Sequence, residues 1–76
     1  MDIDNLIRMA NRIGDFFEAM PDRSEALDGI AGHIKRFWEP RMRRELLAYV
    51  DRHPGAAPLK EIVATAIASH RKELAA

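Results

Sequence analysis

Residues 34–44 read Ile34-Lys35-Arg36-Phe37-Trp38-Glu39-Pro40-Arg41-Met42-Arg43-Arg44. The reading of this stretch decides between a long rod and a compact bundle. Proline suits the first position of a helix and is costly inside one. It also pushes the preceding residue, Glu39, toward extended angles. Yet an apolar stripe crosses the proline in phase, through Trp38, Met42, Leu46, Tyr49 and Val50. A single kinked helix from about 24 to 52 satisfies that stripe, but at 1.5 Å per residue it would be roughly 40 Å long, longer than a compact domain of this size is wide. A corner at Glu39-Pro40 is therefore favoured, with helices over about 23–38 and 40–52. The kinked helix through Pro40 stays as the alternative, because Glu39 is a poor cap.

The flanking segments are helical by the same periodicity. Upstream, Ile3, Leu6, Ile7, Ala10, Ile13, Phe17 and Met20 recur at spacings of three and four, with Phe16 widening the stripe. That pattern predicts an amphipathic helix over about 3–20, started by Asp2 or Asp4. Gly14 lies inside it and reads either as neutral tolerance or as the close approach of another helix. Pro21 ends this helix, and Asp22 with Glu25 three residues on resembles a capping box for the next. The second stripe is Leu27, Ile30, Ala31, Ile34, Phe37 and Trp38. Downstream, His53-Pro54-Gly55-Ala56-Ala57-Pro58 reads as a loop. Pro58 is expected to open a last helix to about Lys72, with Leu59, Ile62, Val63, Ala66, Ile67 and Leu74 on its apolar face. Together these predict an all-α fold, a small bundle of about four short helices in a single domain over residues 1–76.

Composition narrows the function. The chain has 76 residues, 47% of them apolar, and no cysteine. Disulfides, thiolate metal sites and cysteine nucleophiles are thereby excluded. Twelve basic residues balance twelve acidic ones, which speaks against nucleic acid, because phosphate neutralisation supplies most of the affinity of such binders. No apolar run approaches the roughly 18 residues of a membrane span, and the acidic start Met1-Asp2-Ile3-Asp4 reads as no targeting signal. A cytoplasmic location is the expectation.

Catalytic groupings are scarce. His33, His53 and His70 fall on separate segments, none with a second ligand at helical metal spacing. Ser24 reads as a helix-start residue, and Ser69 and His70 point to different sides of a helix. The four glycines form no phosphate-binding loop. The richest feature is the opening stretch, with the only tryptophan, one phenylalanine and five basic residues, four of them arginine. Tryptophan, arginine and methionine are enriched at protein interfaces. Phe37, Trp38, Pro40, Arg41, Met42, Arg43 and Arg44 are thus the candidate partner-binding residues. Phe37, Trp38 and Met42 also lie on the core stripe and read equally as packing. Arg41, Arg43 and Arg44 spread around more than half of a helix, at about 100° per residue, so at least two must face outward. Rival readings are a self-associating helical module and a small nucleic-acid-binding regulator.

Several runs carry a family resemblance: Asn5-Leu6-Ile7-Arg8-Met9-Ala10-Asn11-Arg12-Ile13-Gly14, Phe16-Phe17, Gly29-Ile30-Ala31 with His33-Ile34, and above all Phe37-Trp38-Glu39-Pro40-Arg41-Met42-Arg43. From about Asp2 to Asp51 the chain resembles the small delta subunit of the cytoplasmic, molybdenum-containing, NAD-dependent formate dehydrogenases. The resemblance implies a non-catalytic accessory subunit without a cofactor, which binds the large catalytic alpha subunit and stabilises or helps assemble the complex. It implies that partner subunits carry the molybdenum–pterin guanine dinucleotide, iron–sulfur clusters and FMN, and oxidise formate to CO2 with NAD as acceptor. It assigns no catalytic residue to this chain. An isolated chain of this kind is open to homo-oligomer formation.

Overall fold

The computed structural model describes residues 2–53, 55 and 58–76. Pro54, Ala56 and Ala57 of the expected loop lie outside the described residues. Five helices follow one another: α1 (Ile3–Glu18), α2 (Arg23–Phe37), α3 (Pro40–Arg52), α4 (Glu61–Ser69) and α5 (Arg71–Ala75). Among the described residues there is no strand. The all-α bundle is as the apolar periodicity predicts.

The helix starts follow from local chemistry. The Asp2 carboxylate accepts from the amide of Asp4 at 3.0 Å, and that of Asp22 accepts from the amide of Glu25 at 3.2 Å. Both anions also suit the positive helix end. At the corner, Trp38 and Glu39 have extended backbones (ψ 138° and 151°), and Pro40 opens α3. The kinked long helix is thus excluded. At this corner Trp38 swings into the core, where it is 5% exposed. Phe37 is left outside at 69% exposure, so its place on the core stripe is corrected. Ile34 and Trp38 already fill the inward line of this turn.

The last helix departs from expectation at both ends. It begins at Glu61, not Pro58. The cause is the side chain of Asn11, whose Nδ2 donates to the Pro58 carbonyl and whose Oδ1 accepts from the Lys60 amide, both at 2.8 Å. This pair of hydrogen bonds to α1 holds Pro58, Leu59 and Lys60 out of the helix while Leu59 is buried. At the far end, His70 leaves helical angles (φ −119°, ψ 26°) and α5 starts a new direction. Its ring is held between Asp28 of α2 (Nε2 to Oδ1, 2.9 Å) and Glu73 of α5 (Nδ1 to Oε1, 3.0 Å). The break lets Leu74 reach the core at 2% exposure.

One apolar core joins all five helices. Leu6, Ile30, Ile34, Leu46, Ile62 and Ile67 are each essentially solvent-free. Two glycines permit its closest approaches. A Cβ on Gly14 would come within 2.6 Å of Cγ2 of Val63, and one on Gly29 would strike the Phe17 ring. The close-approach reading of Gly14 is therefore the one that holds.

Two measurements check this packing. Gly14→Ala should gain about 1 kcal/mol of intrinsic helix preference, yet lose more to overpacking against the fully buried Val63, for a net cost of about 1–2 kcal/mol. Urea unfolding of the two proteins tests this; an equal or more stable variant contradicts the contact. The second concerns His70. Its hydrogen bond to Glu73, reinforced by Asp28 and opposed by partial burial, holds its pKa above the ordinary 6.5. The folded state therefore binds this proton more tightly than the unfolded chain does. The contribution is full below the unfolded pKa and is lost as pH rises through the folded one. Wild type should unfold at higher urea at about pH 6 than at about pH 8, and His70→Gln should remove most of that difference. Identical pH profiles for the two proteins would contradict the latch.

Candidate functional site

The seven candidate residues do not form one surface. On α3, positions 43, 46 and 47 point inward, and Arg43, Leu46 and Leu47 are all buried. Trp38 is buried beside them, and Met42 is half-buried against the same core. Pro40, Arg41 and Arg44 are exposed, as is Phe37. At least two of the three arginines therefore do face outward, and the third faces in.

Arg43 is the buried charge, 7% exposed. Nε donates to the Leu74 carbonyl (3.2 Å), Nη1 to those of Lys35 (2.9 Å) and Trp38 (3.2 Å), and Nη2 to the Ala76 oxygen (3.1 Å). Lys35 adds a bond from Nζ to the Glu73 carbonyl at 2.9 Å. These acceptors are the C-terminal carbonyls of α2 and α5, which lack intrahelical partners and carry the negative end of each helix dipole. Arg43 and Trp38 thus serve the fold and offer a partner nothing in this state.

The large apolar groups left on the surface gather elsewhere. Phe16 (73% exposed) and Phe37 are the exposed large hydrophobic residues of the described chain. They flank the seam between α1 and α2. A shallow depression of about 340 Å³ there is lined by Arg12, Ile13, Phe16, Phe17 and His33. The Phe16 and Phe17 rings meet edge to face at 5.1 Å between centroids, and His33 stacks obliquely on Phe37 at 4.8 Å. Phe16, Phe17 and His33 were not among the sequence candidates. The signal was there in Phe16, which sits beside the α1 stripe and not on it.

Charge pairing is uneven over the surface of the described residues. Lys60 binds Asp15 (2.9 Å) and Glu18 (3.2 Å), which hold its pKa above the ordinary value. Arg23 binds Glu61 at 2.8 Å, and Arg71 binds Asp51 at 2.6 Å. Among the described residues no carboxylate lies within ion-pair distance of Arg12, Arg36, Arg41 or Arg44.

The three histidines of the described residues are engaged with neighbouring side chains. The Asp28–His70–Glu73 grouping joins three helices, and among the described residues no hydroxyl is hydrogen-bonded to that imidazole. His33 packs on Phe37, and His53 on Tyr49. No group of three His, Asp or Glu side chains among the described residues could hold a metal ion, and no helix there is long and apolar enough to cross a membrane.

The family model described as NADH-dependent formate dehydrogenase delta subunit FdsD matches residues 5–67. The match spans α1, α2, α3 and most of α4. Neither a curated protein nor a solved structure matches the chain.

Proposed function

The chain belongs to the family of NADH-dependent formate dehydrogenase delta subunits, and from that premise we propose that it is a non-catalytic accessory subunit that binds and helps assemble or stabilise the enzyme complex. The family match over residues 5–67 carries this reading. The residue chemistry supports it. The chain has no cysteine to ligate an iron–sulfur cluster, so this protein does not fit such a group. Molybdenum–pterin guanine dinucleotide, iron–sulfur clusters and FMN belong, on this proposal, to the partner subunits, which also oxidise formate and reduce NAD. The large catalytic alpha subunit is the proposed partner, in the cytoplasm.

What such a subunit contributes is binding free energy. A partner that contacts only the assembled state stabilises it by mass action, without any group of its own entering the chemistry. A bundle this small suits that role, because its apolar side chains are largely committed to packing.

Deletion of the chain in its native host tests the proposal. Complex assembly, molybdenum and pterin content, and formate-dependent NAD reduction are measured separately. The expected result is at least a several-fold loss of assembled, active complex, restored when the chain is supplied in trans. Loss of association assigns a scaffolding role, and loss of molybdenum with the other subunits still associated assigns a role in maturation. Unchanged assembly, metal content and rate would contradict the proposal.

A further inference from the structure

We propose that the α1–α2 aromatic seam is the docking surface, and that its occupant is an apolar ridge bordered by carboxylates on a larger subunit of the formate dehydrogenase complex. The inference rests on the accessory-subunit reading and adds to it the surface and the chemistry of the partner.

The first observation is contiguity. Singly exposed apolar side chains are ordinary on a protein surface, whereas a joined patch marks a contact site. Here Phe16 and His33 line the same depression, and the Phe37 ring lies against His33. The seam is built to stay open. Gly29, His33 and Phe37 follow at one-turn spacing along α2, and Phe17 occupies the space that a side chain at Gly29 would need. That draws α1 and α2 together at one end. At the other, His33 is half-buried in the depression and Phe37 beyond it is more than two-thirds exposed.

The second observation is charge. Arg12 lines the depression, and Arg36, next to Phe37 in the chain, lies back over Gly32 one turn before it (Nη2 3.7 Å from a Cβ built there). Neither has a carboxylate partner among the described residues. The nearby acids of α1, Asp15 and Glu18, are turned to Lys60. An aromatic centre with an unpaired arginine rim fits an apolar ridge with acidic borders, since arginine grips carboxylates in a fork and also stacks on rings. A second copy of this chain fits less well. A two-fold contact through the seam would bring the arginines of both copies to one interface, and the residues lining the depression include no acid to neutralise them.

The test uses the larger subunits, associated or not, purified from a strain lacking this chain, and measures the affinity of the added full-length chain. Phe16→Ser with Phe37→Ser removes the rings, and both positions are exposed, so the bundle is retained; circular dichroism checks this. Arg12→Glu with Arg36→Glu reverses the rim without touching the rings. Each pair should weaken binding at least tenfold. Arg41→Ala with Arg44→Ala, on the outer face of α3, should change it less than threefold. Wild-type affinity in both seam variants overturns the inference, as does a loss confined to the Arg41 and Arg44 pair. So does a wild-type homodimer that the phenylalanine pair dissolves while binding to the larger subunits stays intact. A wild-type chain that fails to bind the larger subunits refutes the accessory reading itself, which separates the two failures.

Discussion

A single guanidinium organises this protein. Arg43 is buried at the meeting point of two helix ends and donates to four main-chain oxygens, those of Lys35, Trp38, Leu74 and Ala76. A buried charge without partners costs several kcal/mol. Terminal helix carbonyls without donors are costly as well. The arrangement resolves both problems at one place, and the dipoles of α2 and α5 add favourable charge. Three features follow from it. α2 must end where its carbonyls meet Arg43, so the chain corners at Glu39-Pro40. Trp38 is carried inward at that corner. α5, only five residues long, acquires a fixed direction that it could not hold alone.

The clamp also decides what remains for function. The densest interface-like stretch of the sequence spends Trp38 and Arg43 on its own fold. Its outward residues, Phe37, Pro40, Arg41 and Arg44, point in more than one direction around the corner. Only Phe37 joins other exposed aromatic groups, those of the α1–α2 seam. The residues on which the family resemblance rests most heavily are therefore a mixture of internal support and surface. A binding role need not map onto the motif as a block.

Much of the fold was legible because amphipathic periodicity is a local property. The spacing of Leu6, Ile7 and Ala10, and of Ile30, Ile34 and Trp38, declares a buried face without reference to the rest of the chain. Pro40 declares the corner for the same reason. The start of α4 was not legible, because Asn11, a residue 47 positions from Pro58, holds the preceding turn open. The break at His70 depends in the same way on Asp28, 42 positions away. Which of the three arginines faces inward was not legible, since nothing local announces the main-chain oxygens of Lys35, Trp38, Leu74 and Ala76 that await Arg43. The site was only half legible. Phe37 was a sequence candidate, whereas Phe16 and His33 lie on a seam that exists only once α1 and α2 are packed.

The clamp is tested most directly by urea unfolding of Arg43→Met beside Arg44→Met, with amide hydrogen exchange read along α5. Methionine keeps the apolar stem and removes every donor. The account predicts a loss of about 3 kcal/mol for Arg43→Met, because four main-chain oxygens, two in buried and two in partly buried contacts, lose their charged partner, and accelerated exchange in α5. It predicts a change within about 0.5 kcal/mol for the exposed Arg44→Met. Equal unfolding midpoints for Arg43→Met, Arg44→Met and wild type, with α5 exchanging as before, would contradict it.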